Sequence, residues 1–161
     1  MEGLIQAPQG GFNVTTTFVS GVDRDGVAHE YGTDYIVVRA NAATVKGDVV
    51  SWVDPTATVP MSITPMPTAS GQLDFAGIAM EGASAAGKYI KVAVGKFALV
   101  NVAAQTSAAG EYLIKPTTTA GKGIRSATAI DATTVAGTIL GRFAGIKDAT
   151  STLALCYIKQ F

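Results

Sequence analysis

Charge is what this sequence has least of. Aspartate, glutamate, lysine and arginine make up 15% of its 161 residues, against about a quarter in an ordinary soluble domain. Acidic and basic residues balance at 12 each, so there is no basic footprint for DNA, RNA or anionic lipid, and direct nucleic-acid binding is not expected. A neutral, weakly charged surface repels its own copies little, which permits assembly. No apolar run approaches about 18 residues, so no membrane-spanning helix is expected. The opening Met1-Glu2-Gly3-Leu4-Ile5-Gln6-Ala7-Pro8 has neither a basic stretch nor a long apolar core; it does not read as a secretory signal, and synthesis in the cytoplasm is expected.

Reactive groups are equally scarce. The single cysteine, Cys156, excludes an intrachain disulfide and a thiolate-rich zinc site, and its alternation with Ala154 and Ile158 suits a small buried hydrophobe on a strand. The single histidine, His29, lacks the second imidazole four residues on that a metalloprotease helix needs. Asp23 and Asp25 before Gly26 resemble the start of a calcium loop, but the later oxygen ligands are missing and a turn explains them. Gly121-Lys122-Gly123 lacks the upstream glycine and the following Ser or Thr of a phosphate-binding loop and reads as a turn. Gly137 and Gly141 beside Arg142 fit strand bends rather than a membrane-helix contact. A hydrolase would need carboxylates such as Asp74 and Glu81 to converge, and nothing in their spacing makes them do so. No catalytic residue, metal or cofactor is expected, and the chain reads as a non-enzyme.

What the sequence does have is a 48% hydrophobic content, enough for a real core in one domain. It is arranged as short apolar runs parted by Gly, Pro, Ser or Thr at intervals of about ten residues, the signature of an antiparallel β protein. The spacing predicts strands over 12–19, 34–39, 48–53, 75–80, 88–94, 97–102, 111–115, 124–127, 138–144 and 153–158. Gly95-Lys96 between two of them fits a two-residue hairpin turn, with Ile90, Val92 and Val94 on the core side. Asp131 could cap a short helix over 132–136. Residues 54–70 hold Pro55, Pro60, Pro65 and Pro67 and are expected as a loop or an edge. Residues 1–10 have few core-forming positions, and the run from Phe12 with the turn residues 22–26 suggests a hairpin packed outside the main body.

The fold expected is therefore all-β: a small β-barrel or a sandwich of short antiparallel strands, which the sequence does not distinguish, with an extended N-terminal arm or hairpin over residues 1–43 and a β-barrel domain over 44–161. Trp52 belongs to the core or to a subunit interface, an ambiguity shared by Phe12, Phe18, Tyr31 and Tyr35. Leu4, Ile5, Phe12, Val14, Phe18 and Trp52 are the candidate interface residues. A row of exposed aromatics could bind sugar by stacking, but no row is visible in the sequence.

The succession Val45-Lys46-Gly47-Asp48-Val49-Val50, Phe75-Ala76-Gly77-Ile78-Ala79 and Ala86-Gly87-Lys88-Tyr89-Ile90-Lys91-Val92-Ala93-Val94-Gly95-Lys96-Phe97 continues with Gly110-Glu111, Ile139-Leu140-Gly141-Arg142-Phe143-Ala144 and residues 153–158. Their order resembles the capsid decoration, or cement, proteins of tailed phages and related small β-barrel proteins of prophages, over roughly residues 44–158. The resemblance implies a β-barrel or β-tulip, frequent homotrimers, and attachment to the major capsid protein on the outer shell of the virion at or near three-fold and quasi-three-fold axes. It implies no catalytic residue and no cofactor. The alternatives are a carbohydrate-binding or adhesin module, or a tail-tube or head-completion subunit.

Overall fold

The computed structural model describes residues 13–22, 25, 27–53, 61–68, 75–103, 112–126, 139–144 and 153–158. These form ten strands: β1 (Thr15–Val22), β2 (Ala28–Ala40), β3 (Val49–Trp52), β4 (Ser62–Pro65), β5 (Phe75–Ala79), β6 (Tyr89–Asn101), β7 (Tyr112–Ile114), β8 (Ile124–Ser126), β9 (Ile139–Phe143) and β10 (Leu153–Ile158). They join one sheet in the order β1-β2-β4-β3-β5-β6-β10-β9-β7-β8. An additional pairing of β2 with β6 closes β2-β4-β3-β5-β6 into a ring, so the protein is all-β and barrel-like. Every strand pairing is antiparallel except β2 with β4.

The long strand β6 is the hub. Its first half pairs with β2, from Tyr89 opposite Arg39 to Lys96 opposite Thr33. From Lys96 to Asn101 it pairs with β10. Between the two, Gly95 faces Asp34 and Ala93 faces Tyr35, which leaves Val94 as an extra residue in a β-bulge, and Lys96 takes a left-handed conformation (φ 61°). The expected hairpin turn at Gly95-Lys96 does not form. A Gly-X pair serves a bulge as well as a turn, and here Thr33 on one side and Ile158 on the other hold the chain extended.

A second ring grows from the far half of β6 through β10, β9, β7 and β8. It closes where Gly123 bridges Val102 in parallel; the Gly123 N–H donates to Asn101 O at 2.9 Å and the Ala103 N–H to Gly123 O at 2.9 Å. The segment leading into β8 is stitched to the first ring as well. The Val49 N–H donates to Gly121 O at 2.7 Å and the Gly121 N–H to Met66 O at 3.0 Å. Gly121-Lys122-Gly123 is a turn, as its composition indicates, and it also seals the junction of the rings.

Two apolar cores follow. One contains Ile36, Val38, Val50, Ile63, Ala79, Ile90 and Val92; the other contains Val49, Ile78, Ala93, Val100, Leu113, Leu140, Cys156 and Ile158. Successive side chains on a strand point to opposite faces, so Val49 and Val50, Ile78 and Ala79, and Val92 and Ala93 each divide between the two cores. The middle of β3, β5 and β6 is a wall buried on both sides, which is why these strands read as continuous apolar runs instead of alternating ones. Ile90 and Val92 face the first core with Val94 packed against it, as the alternation indicates; Ala93, on the opposite face by period, is buried in the second core. Asp48 sits at the junction, its carboxylate accepting the Val45 N–H at 2.8 Å and the Asn101 side-chain amide at 3.3 Å; a buried carboxylate needs such donors to offset lost hydration.

Three expectations are revised or extended. The proline-rich stretch contains β4, which lies inside the first ring between β2 and β3 and is not an edge. It tolerates Pro65 because that residue ends the strand, beyond the two positions paired with β2. Second, β2 starts six residues ahead of the expected 34, since Ala28–Thr33 is recruited by β1. Third, β2 begins in the hairpin with β1 and ends in the first ring beside β4, so one strand serves both. Residues 1–12, which hold the segment 1–10 expected as an arm, and the expected helix at 132–136 lie outside the described residues.

Gly77 marks the bulge where β5 crosses β3, with φ 151°, and a Cβ there would collide with the Ala93 carbonyl oxygen. Gly77→Ala is expected to lower stability by about 1–3 kcal/mol through overpacking and backbone strain, measured as a fall in the urea midpoint without a change in slope.

Candidate functional site

The hairpin of β1 and β2 pairs Thr15 with Tyr35 through to Val22 with Ala28. One of its faces folds onto the outside of the second ring. A side chain at Gly21 would meet the Leu155 Cδ2 at 2.7 Å, Thr33 is fully buried, and the Tyr31 and Phe97 rings pack at 4.9 Å between centroids. The hairpin is thus a layer outside the rings, as the sequence suggests. Its anchor is polar. Asp34 accepts a hydrogen bond from Thr16 Oγ1 at 2.8 Å and one from Lys96 Nζ at 3.1 Å, so a single carboxylate ties β1, β2 and the bulge of β6 together. The bond from Thr16 and then that from Lys96 hold the Asp34 carboxyl below its ordinary value of 3.8, against the opposing effect of burial.

On the other side the hairpin is open. β1 ends the sheet and, among the described residues, pairs only with β2, which leaves one edge of an eight-residue strand without a neighbour. Unpaired strand edges of this length invite another chain. Phe18 at 66% and Val14 at 60% are among the most exposed large apolar side chains of the described residues. Trp52 is half-buried and packs against the first core. Leu4, Ile5 and Phe12 lie outside the described residues.

The strand register also assembles an aromatic row that no single segment reveals. His29 meets Tyr31 edge-on at 6.0 Å, Tyr31 meets Phe97 at 4.9 Å, and Phe97 meets Tyr157 edge-on at 5.3 Å. The row continues sideways: Tyr157 pairs with Arg142 across the strands and Arg142 with Tyr112, whose ring the guanidinium covers at 5.7 Å. The signal lay in pairings between distant strands, which sequence spacing does not encode. The interplanar angles of 74°, 45° and 77° give the rings no common plane, and offset or edge contacts of this kind stabilise the rings against one another.

The groups considered for chemistry that the structure describes sit in separate environments. Cys156 is buried in the second core, donates its S–H to Ala154 O at 3.8 Å, and has its thiol pushed up by burial, with Arg125 opposing. Thiolate is the nucleophilic form, so this cysteine is held unreactive. Glu81 is exposed and pairs with the Lys91 ammonium at 3.8 Å, while Asp74 and Asp23 lie outside the described residues and Asp25 is exposed in a turn. Among the described residues no three His, Cys, Asp or Glu side chains approach closely enough to hold a metal ion. No family model matches the chain, and no curated protein matches it.

Two outcomes follow from these environments. A carboxyl depressed in the folded state adds stability above its unfolded value and loses that contribution as pH falls through the folded value; Asp34 should therefore steepen the loss of stability below about pH 4. Asp34→Asn should flatten that acid limb in urea midpoints taken from pH 2 to 7, and an unchanged limb would remove Asp34 from the role. Cys156 should resist iodoacetamide at pH 8 in native protein and react fully in urea, as mass spectrometry would record.

Proposed function

We propose that this protein is a non-catalytic structural protein that attaches to the outside of a phage capsid at or near three-fold and quasi-three-fold positions and bridges neighbouring major capsid subunits. The observation that supports this reading best is the open edge of β1 with Phe18 and Val14 exposed beside it. Strand addition to such an edge gains main-chain hydrogen bonds without any need for charge, which suits a chain with a formal net charge of zero. A homotrimer fits a three-fold position by symmetry. Once one of its three edges is engaged, the other contacts become intramolecular, and avidity can exceed a single contact by on the order of a hundredfold. Weak individual contacts then suffice to clamp a shell. The order of motifs from residue 44 to 158 supports the choice of a capsid over other assemblies.

The aromatic row favours a second reading, glycan binding, since Tyr157 within it remains 47% exposed. The tilt of the rings against one another offers a sugar no broad stacking face, so this reading stands behind the first. Robust binding on a glycan array, with no affinity for shells, would reverse the order.

The direct test is co-sedimentation of the purified protein with shells of the phage or prophage that encodes it. Wild type is expected to saturate a fixed number of sites, and Phe18→Asp to lower occupancy at least tenfold while leaving the melting temperature unchanged. Failure of the wild type to bind shells would overturn the proposal.

A further inference from the structure

A groove of about 300 Å³ lies beside β1, at the lower end of the volumes typical of binding clefts. Phe18, Val19 and Ser20 of β1 line it together with Met80 and Leu99. Side chains alternate across a strand, so three successive residues line one cavity only where the strand presents its edge. The groove therefore runs along main chain as well as side chains. A gap in the hydrogen-bond ladder of β6 meets it from below. Lys96 pairs with Thr33 of β2 and with Ile158 of β10, which puts these strands on opposite edges of β6. On the β2 side pairing stops at Lys96, and among the described residues Asn101, whose N–H donates to Gly47 O at 2.7 Å, is the next position engaged by another main chain. Ala98 and Leu99, which line the groove, lie in that interval.

The groove carries one charge. Lys46 lines it and has no ion pair among the described residues. The nearby carboxylates are committed elsewhere: Glu81 to Lys91, Asp48 to Val45 and Asn101, and Asp34 to Lys96 and Thr16. An apolar trough whose described lining includes one ammonium is complementary to an apolar group beside an anion.

We infer that this groove receives an extended segment of a partner protein, which places one large apolar side chain between Phe18, Met80 and Leu99 and a neighbouring carboxylate on Lys46. The inference rests on the reading of β1 as a docking edge and names what docks there. Strand recognition of this kind draws affinity from main chain and specificity from a side-chain pocket; here the pocket selects an acidic–apolar pair. An exposed ion pair alone contributes little, so the apolar anchor carries most of the affinity and the lysine sets the preference.

The test uses the full chain and three end-blocked fluorescent hexapeptides, Thr-Val-Glu-Leu-Thr-Val and its versions with Phe or Met in place of Leu. Each is compared with a counterpart carrying Lys for Glu, and with one carrying Ala at the anchor. At least one acidic peptide is expected to bind, to lose tenfold or more with the alanine anchor, and to bind several-fold more weakly when Glu is replaced by Lys. Lys46→Glu should reverse that charge preference, and Lys46→Ala should abolish it, with melting unchanged in both. Absence of binding by all three acidic peptides, a charge preference that Lys46→Glu does not reverse, or binding of octanoate to the groove by a protein that ignores every peptide would overturn the inference. Its failure is distinguishable from that of the capsid reading: shells bound without peptide selectivity defeat only the groove, and selective peptide binding without shell attachment defeats only the capsid.

Discussion

Everything in this fold depends on β6 crossing from one ring to the other without a break. Its near half completes the β2-β4-β3-β5 ring and its far half begins the β10-β9-β7-β8 ring. A straight strand in one register could not do both. The bulge at Val94 and the left-handed Lys96 add a residue and change the strand's course, as bulges do at barrel corners. The inward-facing positions switch from Ile90 and Val92 in the first core to Ala98 and Val100 in the second. Because β3, β5 and β6 are also buried on both faces, neither core is complete without the wall it shares with the other. The two rings should then open and close as one cooperative unit.

The same bulge positions the outer layer. β2 accompanies β6 as far as Lys96 and then leaves it, carrying β1 over the face of β10, and the Thr16–Asp34–Lys96 bonds pin the point of departure. The divergence accounts for the open β1 edge, for the groove between β1 and β6, and for the packing of Tyr31 on Phe97. The placement of β1 is thus a by-product of the device that closes the core.

Most of the strands were legible in the sequence because alternation and turn residues are local signals. Residues 75–79, 139–143 and 153–158 need no more than that. The failures have physical causes. Gly95-Lys96 reads equally as a turn or a bulge, and only the distant partners Thr33 and Ile158 decide between them. β4 was hidden by prolines whose missing N–H groups matter only when a neighbour requires them, and Pro65 falls past the last β2 pairing. Phe18 could be singled out as a core or interfacial aromatic, whereas the row through Tyr31, Phe97 and Tyr157, and the presence of Lys46, Phe18 and Met80 around one groove, depend on register between distant strands. The order of motifs carries the proposed class of partner and says nothing of which surface would meet it.

The shared strand makes a direct physical demand. Native-state amide hydrogen exchange as a function of urea reports the opening free energy of each strand separately. If β6 couples the two cores, the slowest amides of β2 and β5 and those of β9 and β10 must exchange through the same opening, with equal free energies and equal urea slopes. A second ring that opens at distinctly lower free energy while the first stays closed would contradict the account.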